Sequence, residues 1–476
     1  MNKNRVMIYP VPDYVALRED FTVSVRAEGE KEWKNVQCYE VKVDMHEVRK
    51  ASMACFDFEG RIDIRIRFNN YMDIYRVDVR PKRKEIVTTF TEHEIFFSLE
   101  HPENLSIEIN NDRFHNLHLF AGRPCRSPGE ENILRLTGDL HRPKIHSTDE
   151  IRRRLELMPK GRCLVFEPGL HYLEECIFKI PSDTQIYIDG GAVIVGGLVC
   201  ENVKNVKIYG HGIIHQAAFE RFSALRGLRI SHSSDICLEG LTFINPPHYT
   251  VYIGGSEKIR INGIKSFSCE GWSDGIDMMS SREIRIQNIF MRNSDDCIAI
   301  YGKRWDFQGD TRDIRVRNAV LWADVAHPVN IGCHGDIDRE NIIEDIVFQD
   351  IDILEHHEPQ QDCMGCMCVN AGDRNTVRNI RFEDIYVEHM EHGRLFDLRI
   401  ICGRYNSAPG RLIENIFFKN IRFCCDGEEI SRISGDRNNP VRNIMFENLI
   451  VRGRRILGLK QGNIQIGENV HNVTFS

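Results

Sequence analysis

From residue 163 onward the chain keeps returning to one pattern of positions: apolar-x-apolar-x-turn-apolar, with Gly, Asn or Asp at the turn. It stands as Ile236-Cys237-Leu238-Glu239-Gly240-Leu241, Ile259-Arg260-Ile261-Asn262-Gly263-Ile264 and Ile284-Arg285-Ile286-Gln287-Asn288-Ile289. Later copies close at Ile351, Ile385, Ile421 and Leu449. A period of two marks a strand with one buried face. Gly, Asn and Asp tolerate the left-handed backbone that a tight bend needs. The interval between copies is uneven, as when constant strands of a solenoid are joined by loops of different length on one face. A leucine-rich consensus and helical segments between strands are both missing. The pattern therefore predicts an all-β chain whose main body, 163–476, is a right-handed parallel β-helix.

Ahead of it, residues 1–122 alternate over shorter runs such as Phe21-Thr22-Val23-Ser24-Val25 and Leu105-Ser106-Ile107-Glu108-Ile109, broken by Gly, Pro and Asn. These predict an N-terminal antiparallel β-sandwich domain. Residues 123–162 read as a linker, polar and rich in Pro and Gly at Gly122 to Gly129, followed by one helix. Ser147-Thr148-Asp149-Glu150 has the form of a capping box, and Ile151, Leu155 and Met158 form its apolar stripe. A coil of strands has an open apolar end, and this helix is expected to plug it.

Composition narrows the picture. The 476 residues carry a formal charge of −8 with no basic block, which argues against a nucleic-acid partner. No run is long and apolar enough for a membrane span or an export signal, so a cytoplasmic protein is expected. Sixteen cysteines are then expected to be free thiols. Cys363, Cys366 and Cys368 have a metal-like spacing, but Cys237, Cys269, Cys297 and Cys333 recur with the repeats, which suits packing between strands. No metal and no cofactor are expected. The N-terminal domain is where copies of the chain would associate, if they do.

Two acidic segments hold the chemistry. Trp272-Ser273-Asp274-Gly275-Ile276-Asp277 and Asn293-Ser294-Asp295-Asp296-Cys297 follow consecutive copies of the repeat at the same phase. Neighbouring strands lie roughly 4.8 Å apart, so stacking the turns crowds Asp274, Asp295 and Asp296 together. Carboxylates so placed cannot all ionise, and at least one pKa must rise. A general acid beside a general base is the chemistry this suits.

The order Ser-Asp-Gly-Ile-Asp, then Asp-Asp-Cys-Ile-Ala-Ile, then His327-Pro328-Val329-Asn330-Ile331-Gly332 resembles the polygalacturonase-type glycoside hydrolases of family 28. The N-terminal sandwich is similar in placement to that of the family 49 dextranase and isopullulanase group. The resemblance implies Asp295 as general acid, Asp274 and Asp296 as the pair that orients and deprotonates water, and His327 as a neighbour that tunes the acid. It implies hydrolysis with inversion. Trp272, Tyr301 and Trp305 flank the acids and are candidate sugar platforms, with Asp277 and Asn330 as further substrate contacts. His211, in Gly210-His211-Gly212, falls two turns earlier and is read as structural.

Two departures from the family matter. Trp272 replaces a polar residue of the Asn-Thr-Asp-Gly motif. The Arg-x-Lys pair that holds a galacturonate carboxylate is missing between Met364 and Asn370, and Arg399 or Arg404 would have to substitute. The expected partner is therefore an oligosaccharide, of pectin type or neutral, cleaved from one end inside a cleft walled by inserts at 301–313, 333–345, 354–377 and 388–411. A dextranase-like α-glucan hydrolase, a β-helix lyase or epimerase and a catalytically dead sugar binder are the alternatives.

Overall fold

Left-handed residues recur once per coil and show how this sequence turns corners. Asn379, Asn415, Asn443 and Asn472 have φ between 56° and 58°, and each amide donates to the residue one coil earlier: Asp345, Asn379, Asn415 and Asn443, at 2.9–3.1 Å. A second ladder at Asn288, Asn318, Asp384, Asn420 and Asn448 occupies the turn position of the repeat, again at positive φ. The bend costs little at Asn and Asp, and the stacked amides satisfy one another. In this computed structural model, which describes residues 4–425 and 429–476, these corners organise a 30-stranded, almost wholly parallel sheet wound into a β-helix.

The coil interior is one continuous apolar cluster, from Leu134 and Leu136 through Ile464. Phe348, Phe382, Phe418, Phe446 and Phe475 stack along it with centroids 4.9–5.3 Å apart, close to the strand spacing itself. The winding begins earlier than the repeat suggested. Ile133–Leu136 and Lys144–His146, in the expected linker, already pair in parallel with Arg162–Phe166 and Gly169–Lys179. The helix Thr148–Glu156 buries Ile151 and Leu155 at this end of the core. The expected capping box does not form: Ser147 makes no side-chain cap, and the Glu175 carboxylate instead accepts the Thr148 backbone N–H at 2.9 Å.

Residues 5–122 form two sheets. One runs Arg5–Ile8, Arg49–Glu59, Asp112–Gly122, Glu103–Ile109, Val77–Arg80, with Cys38–Val43 also on Arg49–Glu59; the other runs Lys34–Val36, Phe21–Ala27, Ile62–Phe68, Glu94–Leu99, Thr89–Phe90. The sandwich is not purely antiparallel, because Asp112–Gly122 pairs parallel with Arg49–Glu59. That sheet is covered on both faces. Its inner side chains meet the second sheet, while Val41, Val43, Met53 and Phe120 pack on Phe267, Phe290, Val320 and Trp322 of the β-helix.

Polar groups seal the same seam. Arg292, fully buried, makes a two-pronged pair with Asp324 at 2.9 and 3.0 Å and donates to Asn116 at 3.0 Å. Arg80 reaches Glu108, Glu355 and Glu388 at 2.7–2.9 Å. His211 stacks on Tyr9 and lies 3.1 Å from Asp57, which places it in this seam and away from the acids.

Candidate active site

The backbone itself aligns the acids. Asp274, Asp296 and His327 occupy the same position on three successive coils: their carbonyls accept the N–H groups of Thr250, Gly275 and Cys297, each at 2.8 Å. Each precedes the outward strand of its coil, Ile276–Met279, Ile298–Tyr301 or Val329–Gly332. Gly275 is required there, because a Cβ would sit 2.3 Å from the Cys297 carbonyl. The buried Asn293 ties the first acidic loop to the second by donating to Ser266, Ser268 and the Ser273 carbonyl at 3.0–3.3 Å.

Asp274, Asp295 and Asp296 each present a carboxylate oxygen within 4.8 Å of the others, as strand stacking required. Asp274 and Asp296 are buried; Asp295 is the partly exposed member. Such a trio also has the donor set and spacing that a divalent cation would take.

The three carboxyls differ in what surrounds them. Asp296 accepts from His327 Nδ1 at 2.5 Å, the His327 backbone N–H at 3.2 Å, Asn330 Nδ2 at 2.8 Å and the Tyr301 hydroxyl at 3.4 Å. His327 Nε2 faces the Cys363 carbonyl at 2.7 Å. Both imidazole nitrogens thus meet acceptors, so the ring is held as a cation. Burial disfavours charge on both partners, but it is outweighed: the His327 cation and these donors hold Asp296 below the ordinary carboxylate range, and His327 is raised well above its own. The Cys363 thiol next to it is lowered to about 5 by the neighbouring Cys368 and by His327.

Asp295 is pushed up to about 6, first by burial and then by the charge of Asp296. Two backbone N–H groups, of Trp272 at 2.8 Å and of Asp296 at 3.0 Å, keep it from rising further. The first of these comes from a residue at φ 67°, an unusual backbone for so bulky a side chain, and the strain lies where the acid is held. Asp274 is raised well above the ordinary range by burial and by Asp277, Asp295 and Asp296. Asp277 is likewise raised, by burial first, and neither of its fully buried oxygens has a donor among the described residues. Asp274 and Asp277 therefore titrate as an interacting pair, each held toward its protonated form by burial and by the other acids.

The remaining expected contacts divide. Asn330 is in the site through Asp296. Trp272 and Trp305 are about half exposed on loops beside the acids and can present a ring face to a sugar. Tyr301 is 4% exposed and works as a partner of Asp296, not as a platform. Asp277, fully buried, interacts with Asp274 and has no exposed surface to offer a sugar. Arg399 lies a coil further on in a two-pronged pair with Asp397 at 2.5 and 2.8 Å, so its charge is already matched.

Sequence reasoning missed several groups at the cleft. Tyr249, His248 and Arg304 stand against the acid cluster, and the loop 216–227 brings Arg221 and Arg226 over Trp272 and Trp305. Their signal was weak: basic residues in loops have no period that would tell which way they point.

With this geometry in place, comparison with known proteins decides the family. The model of glycosyl hydrolases family 28 matches residues 197–471, over half of the chain and including all three acids and His327. The chain belongs to glycosyl hydrolases family 28. Among curated relatives, this family 28 chain is 26% identical over 229 residues to a probable endopolygalacturonase D of Neosartorya fischeri, covering 47% of this chain and 43% of that one. It is 21% identical over 324 residues to a dextranase of Arthrobacter globiformis, covering 59% and 48%. The chain thus spans less than half the length of each. Among solved structures, Dex49A from Penicillium minioluteum has the same fold over 98% of this chain and 96% of its own, with a TM-score of 0.69 at 14% identity. A family 28 exopolygalacturonase from Yersinia enterocolitica covers 86% and 96%, with a TM-score of 0.53 at 11% identity.

Proposed function

We propose that this family 28 chain hydrolyses an O-glycosidic bond of a short oligosaccharide by single displacement with inversion. The observation that carries the reading is the division of protonation among three touching carboxyls. Asp295, open to the cleft and raised to about 6, holds a proton it can lose. Asp296 stays ionised under His327 and Asn330. Asp295 donates its proton to the glycosidic oxygen as the bond from that oxygen to the anomeric carbon breaks. Water attacks that carbon from the other side and passes its proton to Asp296. Asp274, whose carboxyl burial and the neighbouring acids push upward, orients the water and leaves the role of base to Asp296.

The nearest carboxylate oxygens are closer than the roughly 6.5–9.5 Å separation usual for inverting enzymes. We nonetheless favour inversion, because a nucleophilic Asp296 would have to shed its donors as its bond to the sugar formed. A base can keep them. The inserts after the acid coils, together with loop 216–227, support attack on chain ends. Kinship to dextranases supports an α-glucan as second reading. A panel of nitrophenyl glycosides and short oligosaccharides, with the first-formed anomer followed by NMR, tests the proposal. Retention of configuration would overturn the assignment of Asp296 as base. Activity that depends on added calcium and yields an unsaturated sugar would replace hydrolysis by elimination.

A further inference from the structure

On the flank of the cleft away from His327, three arginines converge, and among the described residues none of them makes an ion pair. Arg221 lies with its guanidinium 3.9 Å from the Trp272 ring centroid. Arg226 lies 5.2 Å from Tyr252 and 5.4 Å from Trp305. Arg304 lies 5.6 Å from both Tyr301 and Trp305. The Nε of each is buried with no acceptor among the described residues.

Their neighbours are matched: Arg229 with Glu201 at 2.8 Å, Lys303 with Asp336 at 2.8 Å and Arg399 with Asp397. Arg304 stands near enough to lower Asp274 and Asp277, yet it donates no hydrogen bond to either. His248, between the arginines, is driven to about 3, first by burial and then by the three cations, and so stays neutral. Arg226 donates Nη1 to the Ala224 carbonyl at 2.6 Å, and Asp274 and Asp277 favour the Arg304 cation. With each Nε left without an acceptor, three gathered cations remain costly unless an anion completes the set.

We propose that Arg221, Arg226 and Arg304 form an anion seat, and that the sugar held against Trp272 and Trp305 carries a carboxylate or a sulfate. The inference rests on the hydrolase reading only in placing that sugar in the cleft. It also explains the missing Arg-x-Lys pair, because the charge is recognised on the opposite flank. There the outward row continues through Cys368 and Asp397, and Asp397 already holds Arg399, so that flank offers no free cation to a second uronate. The seat therefore fits a glycan with its charge on one side of the scissile bond, not a uniformly charged polymer.

The test is calorimetric titration of the full chain with galacturonate, glucuronate, galactose 6-sulfate, galactose and glucose, at low and high salt. The charged sugars should bind tighter than their neutral parents, more weakly at high salt, and the uronate and sulfate arms identify the anion. Arg226→Met and Arg221→Met should each cut the charged-to-neutral affinity ratio by about tenfold, the size expected for one charge-assisted hydrogen bond. Arg221 lies on a half-exposed loop, so its variant keeps the test decisive if the Arg226 variant fails to fold. No preference for charged sugars, or a preference that survives both substitutions, would overturn the seat. Turnover of neutral glycosides without anion binding would sink the seat and leave the hydrolase. Anion binding without turnover of any glycoside would do the reverse.

Discussion

Replacing Asp295 by Asn tests the acid through two readouts that move in opposite directions. The proton donor is lost, and general acid catalysis is typically worth 10²–10⁴-fold, so kcat should fall by at least about two orders of magnitude. Substrates with good leaving groups need less protonation and should lose less. With a carboxyl that titrates at about 6, wild-type activity should decline about tenfold per pH unit above that value. The variant should lack this limb. Stability should respond the other way. Asp295 is raised in the folded state, so its contribution is full below about 3.8, the ordinary value, and is lost as pH rises through about 6. At pH 8 the ionised carboxylate costs on the order of 3 kcal/mol, which an amide removes. The amide can accept from only one of the Trp272 and Asp296 N–H groups, at a cost of about 1 kcal/mol. Asp295→Asn should therefore be slightly less stable than wild type at pH 4 and more stable at pH 8. Urea unfolding at the two values, beside kinetics on a poor and a good leaving group, measures both. Near-normal turnover, or a stability difference that ignores pH, would refute the assignment.

Asp274 and Asp296 should separate under the same substitution. Asp274→Asn replaces a carboxyl already disfavoured as an anion and should cost less than tenfold, whereas Asp296→Asn removes the proposed base and should cost at least about 10² in kcat. His327→Ala deprives Asp296 of its cation, so the acidic limb of the pH profile should move upward, read from kcat/KM between pH 3 and 6. Polygalacturonate should be a poor substrate, and efficient release of galacturonic acid from it would turn attention back to the Arg399 flank. Arg292→Met should leave Asp324 buried and unpaired and lower stability by about 3–5 kcal/mol, seen as an early thermal transition.

Much of this was legible in the residues because the β-helix writes its phase into the chain. Ile259, Ile284 and Ile314 are register neighbours, and once strands stack, the acids one coil apart must meet. The division of roles was less legible. That Asp274 is pushed up and Asp296 held down depends on Asp277 near one and on Asn330 and Tyr301 beside the other, contacts that require knowing which side chains face outward. The arginine flank was invisible because Arg221, Arg226 and Arg304 lie in loops. The capping helix was read correctly as an element but not in its cap, since Glu175 arrives from a neighbouring strand and no local pattern announces it.

The buried Arg292 gives the N-terminal sandwich a standing that the word appendage would miss. It is separated from Asp295 only by Asn293 and Ser294, and its guanidinium is held by Asn116 and His118 of the sandwich. The wall that completes the coil behind the acids thus belongs to a different part of the chain. Trimming the protein to its family-defining segment would uncover Phe267, Phe290 and Trp322 and leave the Arg292–Asp324 pair without its cover from Asn116 and His118. In inheritance as in the laboratory the two parts should travel together.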